Sequence, residues 1–410
     1  MKQGWEKKKL VDVCGFVRGP FGGSLKKNIF KADGYAVYEQ QHAIYDQFDE
    51  IRYFIDENKF NEMKRFELKS GDLIMSCSGT MGKIAIVPEN IKKGIINQAL
   101  LKLTPSPKKI STVFLKLWMQ SESFQDSLKE YSGGAAIQNV ASVAILKQIE
   151  IPLPSLTEQQ RIVAILDEAF SAIAKAKANA EQNLKNAKEL FESYLQGVFE
   201  NGNENWETKC LDELGKITSS KRIYKSEYVK AGIPFYRTKE IKELSNGKNI
   251  TLELFISRDK YNEIKKSFGV PQINDLLMSA VGTIGEIMVI ENNDEFYFKD
   301  GNIVWFKEFK SLDTNYLKFA LTAFVEKIKS LAIGAAYSAL TIEKLNKYQI
   351  SFPKAIEEQQ VIVQKLNILS AETKKLEAIY QQKINDLEEL KKSVLQKAFS
   401  GELKTVEALV

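Results

Sequence analysis

Apolar residues recur at alternating steps of four and three through the stretch from Glu158 to Phe199. This spacing predicts a coiled-coil helix, because it places an apolar stripe along a single face. At 1.5 Å per residue, about 42 residues make a helix roughly 60 Å long, far beyond the ordinary globular helix. The predicted seam is Ile162, Leu166, Ala169, Ile173, Ala176 and Leu190.

The same pattern returns between Glu358 and Phe399, and adding 200 to each seam position keeps the register without a gap. A register shared by two distant stretches indicates an internal duplication. Two unrelated amphipathic helices, each packed on its own domain, are the alternative, and they would make the register a coincidence. The second predicted seam is Ile362, Leu366, Leu369, Leu376, Leu387 and Leu390.

A second repeated motif lies in the segments that precede the long helices. GDLIMSCSGTMGKIAIV (Gly71–Val87) returns as NDLLMSAVGTIGEIMVI (Asn274–Ile290). Both predict two strands joined by a tight GTxG turn, with glycine where the backbone needs positive φ or a close approach. The turn is either a plain hairpin or a point of ligand contact.

The two copies differ most in their early halves. The first carries a glycine-rich basic loop over Gly19–Asn28, and the alternation over Gly34–Tyr45 then predicts a strand. The second carries unrelated loops between Ser219 and Leu254. A shared frame with different loops indicates one scaffold that recognises two different things.

These patterns predict an α+β fold in which two similar mixed α/β domains are separated by two long coiled-coil helices. If the helices pair, an internal pseudo-two-fold relates the repeats and makes the helices antiparallel. The predicted ranges are 1–155 for the first domain, 156–200 for the first long helix, 201–355 for the second domain, 356–402 for the second long helix and 403–410 for a C-terminal tail.

Composition narrows the possible functions. The 58 basic and 53 acidic groups give a net charge of +5, which permits a polyanionic partner without demanding one. Without an apolar run of roughly 18 residues or a signal-peptide pattern, we expect a cytoplasmic protein without a membrane partner. Cys14, Cys77 and Cys210 are isolated, and His42 is the only histidine, so neither a disulfide framework nor a metal site is predicted.

The sequence also lacks the motifs of catalysis. It contains no NPPY or DPPY tetrapeptide, no GxGxxG, no P-loop and no Pro-Cys pair, so we expect no catalytic residues. Two different domains on a stiff spacer are suited to reading a long polymer at two places. At 3.4 Å per base pair, roughly 60 Å of helix limits the separation to about 18 base pairs of DNA.

The stretch PLPSLTEQQRIVAILDEAF (Pro152–Phe170), its weaker repeat FPKAIEEQQVIVQKLNILS and the helix endings LQGVF and LQKAFSGEL carry a family resemblance. Together with the GTxG turns and GGAAIQNVASVAILKQIEIPLP, they make the whole chain similar to the specificity (S) subunit of Type I restriction-modification systems. The second copy departs from the pattern at Lys354 and Ala355, and at Ala339 where the first copy has Asn139.

The resemblance implies two target-recognition domains that alternate with two helical regions in a non-catalytic subunit. Such a subunit recognises a split, asymmetric sequence in double-stranded DNA and holds two methylating (M) subunits through the helices. Motor-nuclease (R) subunits join for cleavage. S-adenosylmethionine, ATP and magnesium are expected on those partners, with no cofactor bound by this chain.

Candidate DNA contacts are polar or basic residues in the loops and turns, because base edges and phosphates are read by such groups. In the first domain they are Ser24, Lys26, Lys27, Asn28, Gln40, Gln41, His42, Thr80, Lys83, Gln138 and Asn139. In the second they are Lys221, Arg222, Arg237, Lys239, Thr283, Lys299, Asn302, Tyr337 and Ser338. Each could equally be a solvated surface side chain, and the GTxG threonines could cap their own turns.

Two other function classes compete with a specificity subunit. A stand-alone methyltransferase or nuclease would require a catalytic motif, and the purified chain would then modify or cut DNA. A structural coiled-coil protein would bind proteins with its domains and would be indifferent to DNA sequence. The polar residues Gln159, Gln160, Gln359 and Gln360 are candidates for the M-subunit interface.

Overall fold

The computed structural model describes residues 4–131, 142–200, 202, 204–331 and 340–403. Before the first long helix the elements are β1 (Glu6–Lys9), α1 (Leu10–Val13), β2 (Cys14–Arg18), β3 (Tyr35–Tyr38), α2 (Gln40–Tyr45), β4 (Phe54–Ile55), α3 (Glu57–Glu62), β5 (Leu73–Ser76), β6 (Ile84–Ile86), β7 (Gly94–Ile96), β8 (Leu100–Pro105), α4 (Thr112–Gln120), α5 (Glu122–Tyr131), α6 (Val143–Leu146) and β9 (Glu150–Leu153).

From the first long helix onward the elements are α7 (Leu156–Glu200), β10 (Glu207–Cys210), α8 (Leu211–Leu214), β11 (Lys216–Thr218), β12 (Tyr228–Val229), β13 (Ile233–Tyr236), α9 (Thr238–Ser245), β14 (Phe255–Ile256), α10 (Arg258–Ser267), β15 (Leu276–Ser279), β16 (Ile287–Val289), β17 (Tyr297–Phe298), β18 (Ile303–Lys307), α11 (Thr314–Leu331), α12 (Ile342–Asn346), β19 (Gln349–Phe352) and α13 (Ile356–Ser400).

The two repeats share their sheet topology. An antiparallel sheet in the order β2-β8-β5-β6 corresponds to β11-β18-β15-β16. A second, three-stranded sheet in the order β4-β3-β7 corresponds to β14-β13-β17, to which the second repeat adds β12 at the edge. In each of these sheets one pair is parallel, β3 with β7 and β13 with β17. The terminal pairs β1-β9 and β10-β19 also match. The predicted α+β duplication is confirmed.

The strand predicted over Gly34–Tyr45 is only partly correct. β3 ends at Tyr38, and α2 begins at Gln40. The backbone N–H of Glu39 donates to His42 Nδ1 at 2.8 Å, so the histidine ring caps the first turn of this short helix. Capping by a side chain overrides the alternating pattern, which a short helix can also satisfy.

The chain divides into two compact units, and the division falls inside both long helices. Met1–Glu181 and Gln382–Val410 form the first unit, and Gln182–Gln381 form the second. In the first unit the core combines the β2-β8-β5-β6 sheet and α4 with the start of α7 and the end of α13. In the second unit the end of α7 and the start of α13 share a core with β15, β18 and α11.

Within each unit the two long helices run antiparallel, as predicted. In the first unit Lys177 Nζ lies 2.6 Å from Glu388 Oε1, and Lys391 Nζ lies 5.0 Å from the ring centroid of Phe170. Residue numbers therefore fall along α7 in the direction in which they rise along α13, so the two helices are antiparallel. In the second unit Leu195, near the end of α7, shares a core with Leu366, near the start of α13.

The buried positions follow the predicted seam at first and then depart from it. Ile162, Leu166, Ala169, Ile173 and Leu366 are buried; Ala176, Ile362, Leu369 and Leu387 are half-buried. Leu190, Leu376 and Leu390 are 51%, 38% and 40% exposed, so their assignment to the seam is corrected. A straight helix of 3.6 residues per turn drifts about 20° per heptad from a 3.5-residue repeat, which turns these leucines outward. Leu195 on α7 and Ile384 on α13, which are not predicted seam positions, are buried.

A buried glutamine fastens each long helix to its own unit. Gln159 Oε1 accepts from the backbone N–H of Ser111 at 2.8 Å, and its Nε2 donates to the carbonyls of Lys109 and Pro154 at 3.1 and 2.9 Å. Gln359 makes the same three bonds to Asp313, Ser311 and Pro353 at 2.7, 3.1 and 2.8 Å. Both are 0% exposed, so neither can belong to a subunit interface.

A second buried position shows how the copies have diverged. Asp72 Oδ1 accepts from Thr104 Oγ1 at 2.6 Å, and Lys102 Nζ lies 3.9 Å from Oδ2. At the matching position, Asp275 Oδ2 accepts from Trp305 Nε1 at 2.8 Å. Burial raises the pKa of Asp275. The carboxylate is kept, while its partner changes from an ammonium to an indole.

Candidate nucleic-acid interface

Some of the predicted contact residues lie at one end of the β2-β8-β5-β6 sheet or of the β11-β18-β15-β16 sheet: Ser24, Thr80 and Lys83 in the first unit, and Lys221, Arg222, Thr283, Lys299 and Asn302 in the second. In the first unit β2 and β5 end there while β8 and β6 begin there, since Arg18 pairs with Leu101 and Ser76 with Leu100. We call this end the turn edge. In the first unit it comprises Arg18–Ser24, Ser76–Lys83 and 97–100, and in the second unit 218–222, 279–286 and 299–303.

The glycine-rich loop leaves the first turn edge through a tight contact. Gly19 N–H donates to Leu100 O at 2.9 Å, and a Cβ at Gly19 would lie 1.8 Å from the carbonyl oxygen of Asn97. Only glycine therefore lets the chain turn here. Ser24 is half-buried in the turn that follows, whereas Lys26, Lys27 and Asn28 are exposed beyond Leu25, which packs near the smaller sheet.

The GTxG turn is held by the serine that precedes it. Ser76 is 0% exposed, and its Oγ accepts from the backbone N–H of Lys83 at 3.0 Å. Gly82 has φ +73°, and a Cβ there would lie 2.8 Å from Gln125 Oε1. Because Ser76 and Gly82 fix the turn, Thr80 and the Lys83 side chain stay exposed at its surface.

The run Gln40, Gln41 and His42 divides into different roles. Gln40 Oε1 accepts from Ser78 N–H at 3.1 Å, which ties α2 to the turn edge. Gln41 is half-buried and donates to Glu50 O at 3.4 Å. His42 is 0% exposed, with Nδ1 bound by Glu39 and Nε2 lying 3.1 Å from Glu50 O. The prediction that His42 contacts DNA is therefore corrected, since both ring nitrogens are engaged inside the fold.

The second turn edge repeats the first. Ser279 is 0% exposed. Its Oγ accepts a hydrogen bond from the backbone N–H of Glu286 at 3.0 Å and donates one to Thr283 O. Thr283 is exposed, and Asn302 is half-buried with its carbonyl accepting from Ala280 N–H at 2.8 Å. Glu286 occupies the place of Lys83, so the side chains change sign on the same backbone.

Most predicted basic contacts of the second unit are already paired with carboxylates. Lys221 Nζ lies 3.5 Å from Glu263, and Arg222 Nε lies 2.8 Å from Asp300. Lys239 Nζ lies 2.9 Å from Glu253. Lys299 is exposed, and its backbone N–H donates to Tyr236 O at 2.9 Å.

Arg237 belongs to a network that supports the fold. Its Nη2 lies 2.6 Å from Glu240 Oε1 and 2.8 Å from Glu253 Oε2, and the Glu240 side chain is only 3% exposed. Burial acts to raise the pKa of Glu240, but the hydrogen bonds from Arg237 outweigh it and the pKa is lowered. Bonding to Glu240 raises the pKa of Arg237 in turn. The guanidinium holds a buried carboxylate and is not available to a phosphate in this arrangement.

The first turn edge presents its cations differently. Within the described ranges, no ion pair joins a carboxylate to Arg18 or Lys83 of this edge, or to Lys26, Lys27 and Arg65 outside it. Unpaired cations beside backbone and hydroxyl donors are the groups that bind phosphates. Gln138, Asn139, Tyr337 and Ser338 lie outside the described residues.

Other chemistry finds little support in the described part of the chain. No group of three or more His, Cys, Asp and Glu residues is placed there to hold a metal ion, and no described helix has the length and apolarity needed to cross a membrane. Burial raises the pKa of Cys14 to about 12 and that of Cys77 to about 11, so both stay protonated thiols at neutral pH.

Comparison with known proteins gives a family match over both repeats. The model of the type I restriction modification DNA specificity domain matches residues 2–185 and 203–389. A Haemophilus influenzae protein named a type I restriction enzyme specificity subunit is 29% identical over 225 residues, which are 53% of this chain and 55% of that relative. The chain thus spans about half of that relative's length.

Two further matches extend over more of the chain. The type I restriction enzyme MjaVIII specificity subunit of Methanocaldococcus jannaschii is 25% identical over 333 residues, 76% of this chain and 75% of the relative. The crystal structure of the HsdS subunit from Thermoanaerobacter tengcongensis aligns with a TM-score of 0.65 at 19% identity, covering 98% of each chain. This likeness shows a common fold.

Proposed function

This chain belongs to the type I restriction-modification DNA specificity family, and we propose that it recognises a bipartite, asymmetric DNA site, one half with each domain. Specificity subunits of type I systems are non-catalytic, and the catalytic activities lie in other subunits. The DNA sequence is therefore selected by this chain and chemically modified by its partners.

The repeated turn edge is the observation that carries the proposal. Both units hold the same backbone at this edge, fixed by Ser76 in one and Ser279 in the other. The side chains at matching positions differ: Lys83 is exposed, whereas Glu286 is half-buried and its Oε2 accepts from Ser245 Oγ at 3.2 Å and from Asn246 Nδ2 at 3.1 Å. A conserved backbone with different polar groups suits two readers of different base sequences, because hydrogen-bond donors and acceptors at groove edges specify bases.

We propose further that the paired helices set the gap between the half-sites. Each is a continuous helix of 45 residues, about 68 Å long at 1.5 Å per residue. Each runs from one unit into the other. A helix resists bending over this length far better than a loop, so helix length defines a distance.

The helices are also the proposed binding surface for two methylating (M) subunits, with motor-nuclease (R) subunits joining for cleavage. Val361, Ile368 and Ile379 on α13 are 50%, 66% and 51% exposed, and we propose that they form part of that surface. S-adenosylmethionine, ATP and magnesium would be held by those partners. The complex would act in the cytoplasm, where it meets chromosomal DNA.

Expression of this chain with its methylating subunit in a host without methylation tests the proposal. Methylome sequencing should reveal one split motif with modified adenines in both halves. Exchange of residues 1–155 for those of a relative should alter one half only. Absence of a sequence motif, or a change in both halves on exchange, would contradict recognition by independent domains.

A further inference from the structure

Each unit exposes an aromatic side chain on the loop that follows the first strand of its four-stranded sheet. Phe21 follows β2 and is 92% exposed; Tyr224 follows β11 and is 62% exposed. The two loops have no sequence in common, yet both keep an aromatic ring in water beside the turn edge. Two loops of different sequence each keep an aromatic ring in solvent. This points to a ligand that packs against the exposed ring.

Both loops are fixed where they carry the ring. Gly19 is pinned to Leu100, and Ser24 N–H donates to Phe21 O at 2.8 Å. In the second unit Lys221 N–H donates to Tyr297 Oη at 2.7 Å, and Tyr224 N–H donates to Glu227 Oε2 at 2.8 Å. The rings are therefore presented by ordered turns, which lowers the entropy lost on binding.

Phe21 also borders a cavity whose chemistry fits a nucleotide. The cavity has a volume of about 680 Å³, and its lining includes Arg18, Arg65, Lys147, Gln98 and the apolar Phe66. The one carboxylate in the lining, Glu62, is bonded to Lys59 Nζ at 2.8 Å. Cations that line a cavity can bind phosphate while an aromatic ring beside them stacks on the base.

We propose that Phe21 and Tyr224 each stack on a nucleobase of the DNA half-site recognised by their own domain, with Arg18 and Arg65 binding phosphates beside Phe21. This inference rests on the proposed function of the chain. Every base offers a π face, so stacking positions the strand while turn-edge groups read the sequence. Apolar side chains inserted at base steps are an established way of deforming duplex DNA.

The test uses the full chain in complex with its methylating subunit and duplexes of the motif found by methylome sequencing. 2-Aminopurine replaces one base at a time in each half, and its fluorescence is recorded with binding. Phe21→Ala should abolish the fluorescence change in the first half only, and Tyr224→Ala in the second half only. Each should weaken binding roughly tenfold.

The two variants serve as controls for each other, and three more complete the design. Phe21→Tyr and Tyr224→Phe keep a ring and should bind within about twofold of wild type. Tyr45→Ala removes a ring that is 76% exposed at the end of α2 and should have no effect. If the alanine variants keep wild-type binding and fluorescence, or either one alters both halves, the stacking proposal is overturned. A wild-type complex without site-specific binding would instead refute the proposed function.

Discussion

Gln159 Oε1 accepts a 2.8 Å hydrogen bond from the backbone N–H of Ser111, which joins the start of α7 to the start of α4. Gln159→Leu would leave that N–H and two carbonyls buried without partners. We expect the free energy of unfolding of the first unit to fall by about 3 kcal/mol, since each unsatisfied buried group costs about 1–3 kcal/mol. Denaturant titration measures the loss. Gln160→Leu, at an exposed neighbouring position, should change little, and equal loss in both variants would show that the Gln159 hydrogen bonds do not stabilise the unit.

We expect Arg237 to contribute to the stability of the fold and not to DNA binding. Arg237→Gln leaves the buried Glu240 carboxylate without its guanidinium, and we expect a loss of about 2 kcal/mol, which thermal or denaturant unfolding will measure. Lys239→Ala breaks only an exposed pair with Glu253 and should leave stability near wild type. A fully stable Arg237→Gln protein with impaired DNA binding would reverse the assignment.

Asp275 predicts a pH dependence of stability. Burial raises its pKa, so the folded chain keeps this proton at pH values where the unfolded chain, at its ordinary value of 3.8, has lost it. The unfolded state then binds fewer protons, and the free energy of unfolding falls as pH rises from 3.8 to the folded pKa. Asp275→Asn should remove this fall. The control is Asp294→Asn, which changes a surface carboxylate bonded to Asn292 and should leave the fall in place. Identical pH profiles for Asp275→Asn and wild type would exclude the effect.

Lys83 should act through phosphate charge. It is exposed on the first GTxG turn, and no carboxylate pairs with it in the described part of the chain. Lys83→Ala should weaken binding similarly for all sequences and reduce the slope of log K against log salt by about 1. Fluorescence anisotropy at several salt concentrations measures this. Lys8→Ala, which removes a lysine paired with Glu6 at 3.0 Å, is the matched control and should leave the slope unchanged.

Helix length should determine the gap in the DNA site. Insertion of a heptad after Glu181 and another after Gln381 adds about 10.5 Å to each helix, or about 3 base pairs of DNA. Methylome sequencing should then show both half-sites unchanged and the gap longer. Insertion into one helix alone should break the pairing and abolish methylation. An unaltered gap in the double insertion would show that spacing is set elsewhere.

The sequence predicted the fold class because its signals were periodic and repeated. Heptad patterns 200 residues apart predict the two long helices, and the two GTxG motifs predict the matching hairpins. The seam was less predictable, since the drift of a straight helix from a 3.5-residue repeat turned Leu190 and Leu376 into solvent.

Individual side chains were harder to place, because their roles depend on contacts between distant segments. His42 and Gln159 look like surface groups in sequence, yet each binds backbone atoms inside the fold. Most of the predicted basic residues of the second unit are paired with carboxylates that the sequence does not place beside them: Arg237 with Glu240, Lys239 with Glu253 and Arg222 with Asp300. Phe21, which we propose as a stacking residue, is absent from the predicted contacts because it is apolar; its place inside a glycine-rich basic loop is the signal in the sequence.

The glutamine clamp bears on how such chains evolve. The hydrogen bonds that Gln159 and Gln359 make to the neighbouring segment go to its main-chain N–H and C=O groups, so these bonds do not depend on which side chains that segment carries. A foreign domain joined at this point by recombination would therefore keep the same bonds to the glutamine. New specificities could then arise by exchange of whole domains, without a change to the glutamine that joins the domain to the long helix.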